Sequence, residues 1–463
     1  MSRKGGVLSG GFQPLKAPNA PTVDSVSAGV LSASVTVSAP ANTGDGTVSG
    51  YVVTAKQSDG SLATGTASSA GAVSVTLTAG GTTEFAAQAF SEYGPGQFSG
   101  FGNSTSIFTG QEIYSTGEND VGQLGRGTTG VYLGLGQIGG LTTWASGSSS
   151  VDFMRAIKTD GTLWSWGRAN NGETGQNTNQ SSSSPVQIGA STDWQSVSQG
   201  ASATHTLAIK TTGSLWSWGR GYAGSLGRNS VLTTSSPAQV GGLTNWSQVA
   251  VGDASSGAVK TDGTLWMWGT NYAGRLGIND QIKKSSPVQV GALTDWYEVS
   301  LGARFTAALK TDGTLWTWGQ GGSGKLGLND TESRSSPVQV GALTTWSQVS
   351  AGYSHTAAVK TDGTLWTWGL GGNGRLGHDN SITLSSPVQV GALTTWSQVS
   401  ASYEGVMAVK TDGTLWGWGE NGRRELGVAG GDRSSPVQVG ALTNWTYASG
   451  GQKMTLAILG STS

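Results

Sequence analysis

Two patterns in the chain carry residue types that do chemistry. "GQGGSGKL", from Gly319, falls one residue short of G-x-x-x-x-G-K-[ST], in which backbone amides cradle phosphates, lysine pairs with them and a hydroxyl holds magnesium. Leu326 stands where the hydroxyl is needed, no helix pattern follows, and sister stretches read "GTNYAGRL" and "GLGGNGRL". The stretch therefore reads as a recurring turn, not a nucleotide loop. The second pattern is "KTDGTLWTWG", unchanged at 310–319 and 360–369, with close copies beginning at Lys158, Lys210, Lys260 and Lys410. Its paired tryptophans are Trp164/Trp166, Trp216/Trp218, Trp266/Trp268, Trp316/Trp318, Trp366/Trp368 and Trp416/Trp418. Such a ladder could stack sugars or bases, but two rings at i and i+2 point to the same side of a strand and bury large apolar area, so the twelve tryptophans are expected to be the structural core of the repeat.

Other chemistry finds little support. His205 and His355 share a repeat position that elsewhere holds Phe153, Ser255, Phe305, Gly405 or Met454, which marks packing or a rim rather than a ligand. His378 stands alone in a loop, and no spacing offers a convergent Ser, His and acid. Asp280, Asp330 and Asp379 supply one carboxylate per repeat, a weak calcium set. The lysines of "KTDG" are nearly cancelled by Asp160, Asp262, Asp312, Asp362 and Asp412, so a solvated turn is expected there rather than an anion-binding ring. No catalytic residue, metal site or cofactor is expected, and the chain reads as a non-enzyme.

Composition narrows the partners. Across 463 residues, 26 Lys and Arg face 27 Asp and Glu, and the segment beyond position 109 balances at 22 against 22. Broad electrostatic attraction to nucleic acid or anionic lipid is not expected. There is no cysteine, no signal-peptide pattern at the start and no apolar run of membrane-spanning length, so no membrane insertion is expected.

The elements that must position any site come from repetition. The motif lysines recur at a spacing of 52 and then 50, while the "GALTTW" marker places Trp at 144, 194, 246, 296, 346, 396 and 445. The missing seventh "WxW" copy is split: "QEIYSTGENDVGQLG", with Tyr114 and Thr116 at the tryptophan positions, stands at one end and "MTLAILG" at the other. A ring, unlike a solenoid, has reason to share a unit between its ends. Each unit reads as four strands, "WSQVSAG" (a), "HTAAVK" (b), "TLWTWG" (c) and "PVQV" (d), with "TDG" as a hairpin turn. This predicts an all-β fold with a seven-bladed propeller over 108–463, its closing blade built from 445–459 and 112–138. "GYSHTAAVKTDGTLWTWGLGGNGRLG", from Gly352, resembles the repeat of the regulator of chromosome condensation family, a resemblance covering roughly 110–460. It implies the seven-bladed fold. The family's founding member is a nucleotide exchange factor for a small GTPase that also binds chromatin. The uniform c–d loops and neutral ring depart from that function.

Residues 20–107 lack tryptophan and alternate like half-exposed strands in "SASVTVSAP", "SGYVVTAKQSDG" and "TTEFAAQAFSEYGPGQFS". They resemble a fibronectin type III sandwich, with Tyr51 at the usual third-strand aromatic. Ala39 stands where the family has a core tryptophan, and Thr83 where it has the corner tyrosine. Residues 1–19 read as an anchoring arm.

Comparing the repeats with one another locates recognition. The b–c and d–a turns hardly change, whereas the opposite face varies. Its a–b loops carry Asp152, Arg304, Tyr353, Tyr403, Glu404 and Lys453, and its c–d loops Arg168, Tyr222, Tyr272, Arg423 and Arg424. This face is the expected surface for a protein or glycan, with drift in unconstrained loops as the alternative reading of the same variation. The whole resembles a tailed-phage virion component, of tail or capsid, with arm and sandwich meeting other virion proteins and the propeller meeting a host surface. A bacterial cell-surface or secreted adhesin and a small-GTPase regulator are the alternatives.

Overall fold

In the computed structural model, residues 16–460 are described apart from 30–31, 58–59, 78–80, 108–110, 131 and 141–142. The chain divides after residue 110 into two compact units, the larger being Gln111–Gly460.

The smaller unit holds β1 (Thr22–Gly29), β2 (Ser32–Ser38), β3 (Val48–Lys56), β4 (Leu62–Ala67), β5 (Gly71–Thr76), β6 (Gly81–Ser91), β7 (Gly94–Phe98) and β8 (Gly102–Ile107). One sheet runs β1-β2-β5; the other runs β4-β3-β6-β7, with β8 also on β6. Alternate residues Val35, Val37, Tyr51, Val53, Val73, Val75 and Phe85 form a single apolar cluster. Ala39 lies exposed just beyond β2, so the position expected to hold a core tryptophan is not a core position here, whereas Thr83 is buried. Of the expected arm, residues 1–15 lie outside the described residues. Lys16, Pro18 and Asn19 are tied to the unit through backbone hydrogen bonds with Asp45, Gln97 and Asn42.

The larger unit consists of seven four-stranded antiparallel sheets. A representative blade has strand a at Trp346–Ala351, b at His355–Lys360, c at Leu365–Gly369 and d at Leu384–Gln389, hydrogen-bonded in that order. The b–c turn shows why "KTDGT" recurs. Gly363 sits at φ +76°, a left-handed conformation that glycine adopts without strain. The Asp362 carboxylate accepts from the Thr364 amide (2.9 Å) and hydroxyl (2.7 Å), and Thr364 Oγ1 accepts from the Trp366 indole (2.9 Å). The turn therefore holds the first tryptophan of the pair.

The second tryptophan joins neighbouring blades. Trp166, Trp218, Trp268, Trp318, Trp368 and Trp418 are all 0% exposed, each enclosed in an apolar cluster with residues of an adjacent blade. No sugar or base can reach these six rings, which are interior residues of the repeat. Four of them also tie the seam by a hydrogen bond from Nε1 to a carbonyl in the c–d loop of the preceding blade. Trp218 donates to Glu173 (3.1 Å), Trp268 to Ser225 (2.8 Å), Trp318 to Arg275 (2.9 Å) and Trp368 to Lys325 (3.0 Å). Trp166 packs against the closing sheet and Trp418 against the blade of Trp346–Gln389, and among the described residues their Nε1 atoms lack this partner. Gly277, at φ +71°, lies against the Trp318 ring; a Cβ there would stand 2.6 Å from Nε1.

Both tryptophans of a pair pack against the "TTW" tryptophan, edge-on in the case of Trp316 and Trp318 on Trp296 at 6.2 and 6.0 Å. The first ring is half-buried, with the motif lysine above it, Lys310 Nζ lying 4.5 Å from the Trp316 centroid.

The last sheet closes the ring from both ends of the unit. Its strands, in order, are Tyr132–Gln137, Gln111–Gly117, Met454–Gly460 and Trp445–Gly450, with Gln111 opposite Gly460 and Gly117 opposite Met454. Tyr114 takes the first tryptophan's place and stacks edge-on against Trp445 at 5.2 Å, while Thr116 donates to the Arg424 carbonyl (2.9 Å). Ile113, Met454 and Leu456 of this sheet share one apolar cluster with Trp144 and Trp166 of the next.

Strands a line a central cavity of about 210 Å³. Glutamines brace them across blades: Gln398 donates to the Ala448 carbonyl (2.9 Å) and accepts the Ala448 amide (3.1 Å). Glu298 occupies the equivalent place in its blade, with the Val349 amide as backbone partner, and burial there pushes its carboxyl up to about 8.

Candidate interaction face

The a–b and c–d loops emerge at one face because strands alternate in direction and each of these loops joins an upward to a downward strand. Short 3-10 turns at Tyr222–Gly224, Tyr272–Gly274, Gly322–Gly324 and Gly372–Gly374 shape the c–d loops. "GQGGSGKL" is one of these turns; Lys325 follows it and donates to Gln320 Oε1 (3.1 Å).

The structure gathers the variable residues into three groups. In the first, Tyr222, Tyr272 and Arg304 line a cleft of about 400 Å³ together with Arg220, Arg275 and Asp253. The Arg220 guanidinium lies 5.4 Å from the Tyr222 ring centroid, and that of Arg304 lies 5.6 Å from Tyr272. In the second, Tyr353 and Tyr403 stack at 4.1 Å beside Glu404, which pairs with Arg375 (3.5 Å) and accepts from Asn373 (3.2 Å). A hydrogen bond to Glu404, then burial and further acidic neighbours, push Glu420 up to about 8. Burial and the stacked Tyr353 push the Tyr403 hydroxyl well above the usual phenol range.

The third group is an ion-pair network. Arg168 meets Asp152 at 2.7 Å, Lys453 meets Glu118 at 2.9 Å, and Arg423 also pairs with Glu118. Arg424 turns away into its own loop, at φ +64°, toward the Gly430 carbonyl. Its charge is spent on backbone.

Arg220, Asp253, Arg275, Glu118 and Glu420 were not singled out by the sequence comparison. Reading single repeat columns around the ring would have found them. One column runs Ser225, Arg275, Lys325, Arg375, Glu425, and another runs Glu118, Arg168, Arg220, Thr270, Gln320, Leu370, Glu420. The ring is neutral in sum, yet these columns change sign along it.

The histidines do not reach this surface chemistry. His205 Nε2 meets Ser256 Oγ at 2.8 Å and His355 Nε2 meets the Gly405 carbonyl oxygen at 3.0 Å, both fully buried, and burial holds both imidazoles down to about 3. His378 is half-buried against Thr367. Among the described residues no group of three His, Cys, Asp or Glu side chains is placed to hold a metal.

Comparison with known proteins follows the repeat. The model of the RCC1-like domain matches residues 95–402, and that of the regulator of chromosome condensation (RCC1) repeat matches 412–458. The chain is 31% identical over 125 residues to the human E3 ubiquitin-protein ligase HERC2, covering 25% of this chain and 3% of that protein. It is 34% identical over 130 residues to the Arabidopsis thaliana ultraviolet-B receptor UVR8, covering 28% of this chain and 30% of that one. The chain thus spans under a third of the length of either relative. Prp20p of Saccharomyces cerevisiae, whose structure was described with its binding to Gsp1p and histones, superposes with a TM-score of 0.69 at 18% identity, over 76% of this chain and 92% of that one.

Proposed function

The chain belongs to the RCC1-like domain family, and on that premise we propose that it is a non-catalytic interaction module whose a–b and c–d loop face binds a protein partner. The observation that carries this reading is the contrast between faces. The "KTDGT" turns form one repeated, self-satisfied hydrogen-bond unit, while the opposite loops place stacked tyrosines and arginines of differing identity on a rigid ring. Tyrosine and arginine give large contact area and directed donors, and both are enriched among the residues that dominate binding energy. The test replaces Tyr222, Tyr272, Tyr353 and Tyr403 together by alanine. Partner binding, followed by cross-linking from this face, should be lost while the melting temperature holds. A folded variant that binds undiminished ends the reading.

We place this module on a virion, as a tail or capsid appendage. The smaller unit would be a fibronectin type III-like spacer, and residues 1–19 would be the contact to neighbouring virion proteins. A lightly charged, cysteine-free chain that couples a small two-sheet β unit to a ring supports this setting. Mass spectrometry of purified particles tests it, and absence from every particle overturns it. Exchange activity on a small GTPase is the competing reading, which the fold of Prp20p brings into view; it predicts accelerated nucleotide release in a purified assay.

A further inference from the structure

We propose that the cleft between Tyr222 and Tyr272 is a carboxylate-binding pocket that takes an acidic side chain of the partner protein. This deepens, and rests on, the reading of the loop face as a protein-binding surface. The cleft is concave, about 400 Å³, and therefore large enough to admit a side chain rather than merely touch one. Its walls carry three guanidinium groups, those of Arg220, Arg275 and Arg304, against a single carboxylate, Asp253.

The positive charges are not consumed by the fold. Arg275 is only 3% exposed; its Nη1 donates to the Ala303 carbonyl (2.8 Å) and its Nε to the Tyr272 carbonyl (3.4 Å), which leaves Nη2 free among the described residues. The guanidinium is thus held in place by two backbone carbonyls while one edge stays available. Arg220 and Arg304 make no side-chain hydrogen bond or ion pair among the described residues; each lies beside a tyrosine ring. The contrast with the ion-pair network across the ring is sharp, because Arg168, Arg423 and Lys453 all have carboxylate partners there.

Electrostatics point the same way. The buried Lys325 is pushed down to about 8 by burial and by the repulsion of Arg304 and Arg275. Arg275 is pulled down to about 10, chiefly by burial. A site that holds cations against burial and mutual repulsion gains when an anion enters. A carboxylate suits the planar forks of the arginines, and the flanking tyrosine rings suit the methylene stem of a glutamate. The tyrosines in the cleft therefore do two jobs, flanking the stem and orienting Arg220 and Arg304.

Fluorescence polarisation of the full chain with a labelled hexaglutamate peptide tests the pocket, with hexaglutamine as control. The expected result is binding of hexaglutamate alone, weakened by added sodium chloride. It should fall at least tenfold in Arg220→Gln/Arg304→Gln, two exposed positions whose replacement leaves the melting temperature unchanged. Absence of hexaglutamate binding, or equal binding by the double variant, overturns the proposal. Displacement of the peptide by millimolar inorganic phosphate would also overturn it, since the site would then select oxyanions without regard to the carboxylate. The two readings fail separately: the loop face falls with the quadruple tyrosine variant in the cross-linking experiment, the pocket with the arginine variant and the peptide.

Discussion

At the scale of single residues, the buried histidines make the ring acid-sensitive. His205 and His355 are held neutral, with pKa lowered from 6.5 to about 3, and their Nδ1 atoms have no partner among the described residues. The unfolded chain binds a proton at each below about pH 6.5, whereas the folded chain does not until about pH 3. Stability is therefore intact above pH 6.5 and erodes as pH falls toward 3, by about 1.4 kcal/mol per pH unit for each histidine. The same repeat position holds Phe153 and Phe305, both about 1% exposed, so phenylalanine fits it. Urea unfolding of His205→Phe/His355→Phe between pH 7 and 4 should give a flatter profile than the parent; an equal slope would remove the histidines as the cause. That this position is packing was legible from the residues sharing its column. The cleft was less so: Tyr222, Tyr272 and Arg304 could be chosen because they differ between copies, whereas Arg275 hid in a turn with lysine and arginine at its sister positions. Nothing in a linear repeat says that one copy's turn closes over the next copy's loop.

Elements are held by contacts that cross from one blade to the next. Trp318 spans such a seam, donating to the Arg275 carbonyl, and Gly277 makes room for its ring. Trp318→Ala should destabilise the ring by about 3–5 kcal/mol. Gly277→Ala should also destabilise it substantially, since its Cβ meets a ring that is fully enclosed and its backbone is left-handed. Chemical denaturation followed by tryptophan fluorescence measures both; a loss under about 1 kcal/mol for Trp318→Ala would mean the seam does not depend on this ring. Glu298 shows the seam from the channel side. Its carboxyl is raised from the ordinary 4.5 to about 8, so the folded state keeps a proton that the unfolded state releases. Stability present below about pH 4.5 is lost as pH rises through 8. The neighbouring blades use glutamine in this brace, Gln248 against Val299 and Gln348 against Val399, and Glu298→Gln should leave the protein more stable than the parent above pH 8, with little difference near pH 4. An unchanged melting temperature at pH 9 would count against the shared geometry.

At the scale of the whole molecule, the ring was readable because copy number, spacing and the split repeat are arithmetic facts of the chain, and a closing sheet made from both ends is their geometric consequence. The uneven distribution of charge was not readable from composition, since a sum near zero says nothing about order around a circle. Removing Met454–Gly460 should cost more than seven residues' worth of contacts. It strips the partner from Gln111–Gly117 and opens the cluster shared by Ile113, Leu456 and Trp166. Calorimetry should show the single cooperative transition replaced by a broad one at lower temperature; an unshifted sharp transition would mean the ring does not need its clasp. The register of that clasp has a mechanical meaning as well. Gln111 and Gly460 face each other at one end of an antiparallel pair, so tension applied between them loads the outermost hydrogen bonds first and peels the strands apart rung by rung. The ring should part at low force when pulled from this point and resist far more when gripped across two blades, as a zip fastener yields at its slider and nowhere else.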